Sequence, residues 1–287
     1  MKSEIEPGIY RMESTKYHGI PAASKTFLHD LLTRTPAHAI TPRKETPALK
    51  EGTAIHCAVF EPSRFQDEYI QKPDGMSFST KDGKVWREEA EKTGKIILNY
   101  DFYENCTLMS KAVHDHLQAH EDPIIKNLLT HGEPELSAFW QDPEYGVLCK
   151  ARFDWLNQES RIIVDLKSCT DASERKFTND AYAHGYDMQS GKYCYGLTQI
   201  TRVEHKDFYF IAVEKEPIII DGEKSFAVQV YKATEMQINH GLTRCYQALK
   251  IYKECLDSGK WPAYPAQVKD IDLPGWVLRK EGFGGLD

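Results

Sequence analysis

The run Ile162-Ile163-Val164-Asp165-Leu166-Lys167 constrains this chain more than any other stretch. Its β-branched start predicts a buried strand, and that strand carries an acid and a base two residues apart. Side chains alternate faces along a strand at about 3.3 Å per residue, so Asp165 and Lys167 project from one face, roughly 6–7 Å apart along the backbone. Upstream, Leu148-Cys149-Lys150-Ala151-Arg152-Phe153-Asp154-Trp155 predicts a second strand with Asp154 close to its end. Residues 156–160, Leu-Asn-Gln-Glu-Ser, supply turn chemistry between the two. Opposed residues of a hairpin have a constant index sum, and any odd sum puts Asp154, Asp165 and Lys167 on one face. The register that sets Asp154 opposite Asp165 is one of these. Two carboxylates and an ammonium at a strand end suit a divalent-metal phosphodiesterase, in which the carboxylates hold the ion and the lysine orients or deprotonates water. The plainer alternative is a surface hairpin with an exposed ion pair; Ile-Ile-Val argues for burial instead.

Composition sets the bounds. A chain of 287 residues forms one large domain or two small ones, and 41% hydrophobic content with 15 tyrosines supports a globular core. No run of about 18 apolar residues predicts a membrane span. The start, Met-Lys-Ser-Glu-Ile-Glu-Pro-Gly, lacks the apolar segment of a signal peptide. Seven scattered cysteines without a CxxC pair argue against a zinc ribbon or an iron–sulfur cluster and for reduced thiols in a cytoplasmic protein. A net charge of −7 is unlike a typical nucleic-acid binder, but the charge is uneven. Residues 1–50 carry 8 basic and 5 acidic side chains, residues 51–150 carry 10 and 18, and the remainder is nearly balanced. Screening over roughly 10 Å lets a basic surface act locally inside an acidic protein.

The element order follows from periodicity and caps. Ser24 to about Ala37 predicts a helix with Ser24 as N-cap, and Glu51–Phe60 a short buried helix with His56 inside it. Residues 71–85 predict a polar loop, and Phe102, Cys106, Met109, Val113 and Leu117 mark an amphipathic helix of about 19 residues. After His131-Gly132, strands are predicted at 136–140, 147–155 and 161–167, then helices at 173–183 and 186–199. Strands at 202–213 and 225–231 and a helix from about 233 to 256 complete the core. That order implies an α/β (α+β) fold, a mixed central sheet flanked by helices, in one domain. Its parts are a helical N-terminal elaboration over about 1–130 carrying the histidine, a core over about 131–256, and a tail from 257 to 287.

Five further residues bear on chemistry. His56 by itself is explained more simply as a core histidine bonded to a backbone carbonyl, but imidazole is also a ready metal ligand, and the two carboxylates add weight to that reading. Gln189 and Tyr193 stand four apart and share a helix face, from which an amide and a phenol can address a phosphate or its water; ordinary core packing by Tyr193 is the alternative. Glu135 opens the strand before the Asp154 strand and suits a second metal ion or a bridging water, or is simply an exposed strand-start acid. Lys192 on the neighbouring face is expected in solvent. The P-loop, H-E-x-x-H and G-x-S-x-G motifs do not occur in the sequence. A glycosidase would use two carboxylates but has no need of the histidine and lysine beside them.

Taken together, His56, Asp154, Asp165-Leu166-Lys167 and Gln189-x-x-x-Tyr193 resemble the PD-(D/E)xK nuclease superfamily. Within it, the chain resembles the branch with the extra helical histidine and the Q-x-x-x-Y helix. Lys-Ala-Arg-Phe-Asp-Trp-Leu, Val-Asp-Leu-Lys-Ser, the Ser24–Pro36 opening and the Glu51–Pro62 helix are most similar to the RecE exonucleases, the exodeoxyribonuclease VIII type. That resemblance spans roughly residues 20–255. It implies a restriction-endonuclease-like core and a Mg2+-dependent (Mn2+ substituting), ATP-independent 5′→3′ exonuclease. The implied substrate is linear double-stranded DNA, left with 3′ single-stranded tails for recombination or repair. His56, Asp154, Asp165 and the Leu166 carbonyl would be metal ligands. Lys167, Gln189, Tyr193 and Glu135 would act on the water or the phosphate. Partners implied are DNA ends, a RecT-like annealing protein and further copies of the chain in a ring. An endonuclease or single-strand nuclease of the same superfamily, or a non-catalytic DNA-binding module, remain the alternatives. Lys25 and Arg34 are the basic candidates for gripping the 5′ phosphate.

Overall fold

The computed structural model describes residues 5–44, 46–273 and 277. Eight strands occur among them: β1 (Gly8–Arg11), β2 (Tyr69–Gln71), β3 (Ile96–Leu98), β4 (Glu133–Gln141), β5 (Leu148–Asn157), β6 (Ile162–Cys169), β7 (Asp207–Ile220) and β8 (Glu223–Lys232). The helices are α1 (Ser14–Gly19), α2 (Lys25–Thr33), α3 (Pro36–Ile40), α4 (Pro47–Phe60), α5 (Pro62–Glu68), α6 (Lys81–Lys92), α7 (Tyr100–Ala119), α8 (Pro123–Lys126), α9 (Glu174–Ala183), α10 (Tyr186–Thr201) and α11 (Glu235–Ser258). Six strands form one sheet in the order β1-β4-β5-β6-β7-β8, and β2 and β3 form a separate parallel pair. Within the main sheet only β6 and β7 run parallel, joined by the crossover through α9 and α10.

Two cores lie on opposite faces of this sheet, and period-two alternation builds both. Ile163, Phe208, Phe210 and Ala212 face a core shared with α2, α10 and α11. Val164, Leu166, Tyr209, Ile211 and Val213 face a second core with α4 and α7. The predicted mixed sheet with helices on both faces is therefore the one observed. Each fully buried aromatic such as Phe208 contributes roughly 1.5–3 kcal/mol.

Helix positions follow their caps. Ser24 accepts from Phe27 N–H to start α2, and Asn99 accepts from Phe102 N–H to start α7. Pro36 ends the helix predicted from Ser24 but also opens α3, because a first-turn proline loses no helical hydrogen bond. The loop predicted over 71–85 is half correct: Thr80 caps α6, whose Gly83 is required by contact rather than by a turn. A Cβ there would meet the Ser77 carbonyl oxygen at 2.0 Å. The strand predicted from Arg202 begins at Asp207, because α10 runs on to Thr201 and ends with Arg202 in the left-handed conformation, φ +61°. The N-terminal segment, read as helical, also supplies β1, the edge strand paired with β4. Part of the tail, 274–276 and 278–287, lies outside the described residues.

Candidate metal centre

The β5–β6 hairpin adopts the register that sets Asp154 against Asp165: Trp155 faces Val164, Leu156 faces Ile163 and Asn157 faces Ile162. On the other side, Pro134 faces Trp155 and Leu136 faces Phe153, so Glu135 stands opposite Asp154. Glu135, Asp154 and Asp165 thus occupy one row across β4, β5 and β6. The pairing opens at that row. Glu135 is held in the left-handed region, φ +57°, costly for a side-chain-bearing residue. Alternation along β5 reverses there too, with Phe153 and Leu156 in one core and Trp155 against the other. A matched kink in two neighbouring strands turns the acids out of the ladder.

Asp154 is the open half of the site. Its Oδ2 accepts from the Leu166 backbone N–H at 2.9 Å and lies 3.2 Å from His56 Nδ1. His56 reaches it from α4, whose Ala54, Ile55, Ala58 and Val59 are buried and fix the helix on the sheet. Its ring pairs with a carboxylate instead of the backbone carbonyl of a core histidine. Burial opposes charge on both groups, but their mutual attraction outweighs it: His56 is raised and Asp154 lowered from their ordinary values. Glu135 Oε2 accepts from Arg152 Nε, while burial and the neighbouring Asp154 raise its carboxyl. A groove of about 900 Å³, lined in part by His56, Glu135 and Arg152, opens on this half.

Asp165 is the closed half. It is 2% exposed, its Oδ1 pairs with Lys167 Nζ, and its Oδ2 accepts from Gln189 Nε2. Lys167 also donates to Gln189 Oε1 at 2.9 Å. Burial first, then Asp154, push Asp165 up to about 6, with Lys167 working against them. Lys167 is raised by the two aspartates in spite of its own burial. Its ammonium sits 4.4 Å over the Tyr186 ring, and Lys25 lies 5.7 Å from the same ring. Burial, and then Lys167, lower Lys25 to about 8. A second groove, about 840 Å³, is lined by Lys25, Arg34, Arg43, Lys44 and Tyr186 among others, and Leu49 of α4 borders both grooves.

Gln189 is thus brought to the carboxylates as its helix spacing suggested. Tyr193 instead packs its ring edge-on to Phe153 at 5.1 Å, and burial raises its hydroxyl far above the ordinary range. Lys192, expected in solvent, is buried with its amine 4.0 Å over Trp140 and donates to the Lys150 carbonyl. Arg152 and Tyr186 were not singled out in the sequence. A cation two residues before a strand-end acid, on the same strand, was the available signal for Arg152.

The donor set fits a divalent cation. One ligand atom each from His56, Glu135 and Asp154 lies within 4.8 Å of the others. Asp165, whose Oδ1 pairs with Lys167, is not one of these three. Oxygen donors with one imidazole suit Mg2+ or Mn2+.

Residues 28–273 match the family described as PDDEXK-like domain of unknown function (DUF3799). The chain belongs to that family. It is therefore a member of the PD-(D/E)xK superfamily, with the restriction-endonuclease-like fold. A solved protein from Eubacterium rectale, assigned as an exonuclease, is 12% identical with a TM-score of 0.56, over 96% of this chain and 100% of its own. At this identity the likeness speaks for the fold alone. A phage-related exonuclease from Haemophilus somnus 129PT is 10% identical with a TM-score of 0.35, over 84% of this chain and 97% of its own. None of the curated proteins matches the chain. Among the described residues, no helix is long and apolar enough to cross a membrane.

Proposed function

We propose that this PDDEXK-like protein is a Mg2+-dependent 5′→3′ exonuclease of the RecE type, acting on the ends of linear double-stranded DNA without ATP. The observation that carries this reading is the row Glu135–Asp154–Asp165, flanked by His56 on one side and by Lys167 and Gln189 on the other. In this reading His56, Asp154, Asp165 and the Leu166 carbonyl would hold the ion, and Glu135 would bind a second metal ion or a water. A bound Mg2+, or Mn2+ in its place, supplies Lewis-acid stabilisation of the charge that develops on the phosphoryl oxygens.

The remaining work falls to the chain. Lys167, fixed by Asp165, Gln189 and the Tyr186 ring, presents an ammonium at one defined point beside the carboxylates, where it orients the attacking water or the phosphate by donating to it. Gln189 bonds both groups and so holds their spacing. Tyr193 supports this arrangement by packing under the site rather than by touching substrate. The groove carrying Lys25, Arg34, Arg43 and Lys44 offers a phosphate backbone a locally basic path on an acidic protein. The 3′ tails would pass to a RecT-like annealing protein, and a ring of identical chains would supply processivity.

The test is incubation with Mg2+ and linear duplex labelled at either end, beside a closed circle. Early release of 5′ label with the circle intact is the expected result. A cut circle moves the assignment to an endonuclease. Binding without cleavage moves it to a non-catalytic module.

A further inference from the structure

The segment between β2 and β3 carries an aromatic pair that neither core includes: Phe78 in the loop before α6 and Trp86 on α6. The two rings are stacked, 13° from parallel, with centroids 6.2 Å apart. Near-parallel rings at that separation overlap only at their edges, so part of each face stays uncovered. Both side chains are half-buried. Rings that served only to hold this segment together would gain more from full burial. The pair is also held in place. Thr80 accepts from the Gly83 N–H, and the Ser77 carbonyl lies where a Cβ of Gly83 would stand. The loop from Ser77 to Thr80 therefore closes on the first turn of α6 and fixes Phe78 against Trp86.

Cations surround the pair. Lys72 Nζ and Arg87 Cζ each lie 5.5 Å from the Phe78 ring centroid, and Glu91 holds Arg87 there at 2.7 Å. Lys81 and Lys84 are exposed on the first turn of α6. From Lys72 to Arg87 the chain carries 4 basic and 2 acidic side chains, inside a stretch, residues 51–150, that carries 10 and 18. Stacked aromatics flanked by cations suit a single nucleic-acid strand, whose bases offer free faces and whose phosphates meet the cations. A base inside a duplex has no such face.

The pair also stands near the metal centre. Tyr69, the first residue of β2, lines the same groove as His56 and Glu135. Lys72 follows three residues later, about 10 Å along an extended chain. Its N–H donates to the Leu98 carbonyl and so continues the β2–β3 pairing.

We propose that Phe78 and Trp86, with Lys72 and Arg87, form a stacking site for the unhydrolysed 3′ strand as it leaves the metal centre along the groove lined by His56 and Tyr69. This rests on the nuclease reading above. A tail held there keeps the enzyme on its substrate between cleavage steps.

The experiment is fluorescence anisotropy with the full-length protein in EDTA, so that nothing is cleaved. A blunt duplex is compared with the same duplex bearing a 3′ tail of about 15 thymidines, within the span that such sites cover. The readout is the ratio of the two affinities. Wild type should favour the tailed DNA roughly fivefold or more, the gain from one or more stacked bases. Trp86→Leu should lose that preference and Trp86→Phe should keep it. No preference in a wild type that cleaves DNA with Mg2+ overturns the proposal and leaves the nuclease reading standing. An intact preference in a folded Trp86→Leu protein also overturns it. Circular dichroism and melting establish folding, and Phe78→Leu serves if the Trp86 variant fails. No cleavage of any DNA by wild type with Mg2+ sinks the nuclease reading and this proposal with it.

Discussion

Asp154 and Asp165 sit in one row of one sheet, on adjacent strands, yet the fold treats them oppositely. Asp154 is partly exposed, meets an imidazole and a backbone N–H, and is held below the usual carboxylate range. Asp165 is buried beneath α10, clamped by Lys167 and Gln189, and pushed up to about 6. Two carboxylates whose proton affinities are driven apart by their surroundings generally have different tasks. Asp154 is ready for a cation throughout the neutral range. Asp165 joins only once its proton has left.

That contrast is best broken by removing each acid. Asp154→Asn and Asp165→Asn should each lower the DNA cleavage rate by about 10³-fold or more, and Lys167→Met by about 10²–10³-fold, measured as kcat with saturating Mg2+. Near-normal rates in either aspartate variant would end the proposed assignment.

Acidity sharpens the difference. Ligands must be deprotonated to bind metal, so apparent Mn2+ affinity should fall about tenfold per pH unit below about 6, and more steeply where His56 also takes up a proton. Calorimetric titration between pH 5 and 8 measures the slope; an affinity flat across pH 6 would contradict a proton-gated Asp165.

Stability in EDTA gives the smallest effect and the clearest sign. Asp165 has a folded-state value above its unfolded one, so its contribution is full at low pH and is lost as pH rises through about 6. Asp154 has the reverse shift, so its contribution is present above the ordinary carboxylate value and lost on acidification. At pH 8, thermal melting should therefore show Asp165→Asn at or above wild type and Asp154→Asn about 1–3 kcal/mol below it. The gap between wild type and Asp165→Asn should close as pH falls to 4. Equal destabilisation by both variants would show that the two environments do not differ as described.

Much of this site was legible because it is local. The turn at 158–161 sets the β5–β6 register, and period two then carries Asp154 and Asp165 into one row. Gln189 was readable for the same reason, since its place on α10 follows from helix spacing. Residues placed by long-range contact were not legible. Glu135 was found as a strand-start acid, but its left-handed backbone belongs to the kink shared with β5. Arg152 binds segments near residues 12 and 137, which no local pattern connects. β1 is four residues without an apolar alternation and exists through its pairing with β4. α6 was hidden by Gly83, which reads as a turn until the Ser77 carbonyl beside it is known.

The parallel pairing of β6 with β7 has a consequence in time. The hairpin that lines up the two acids closes a short loop, a step on the scale of microseconds. Gln189 comes to Asp165 only when the chain has run through α9 and α10 and β7 has returned beside β6. Loop-closure entropy makes that non-local step the slow one. During synthesis the residues of the hairpin emerge before those of the clamp, so the contact of Gln189 with Asp165 belongs to the finished sheet.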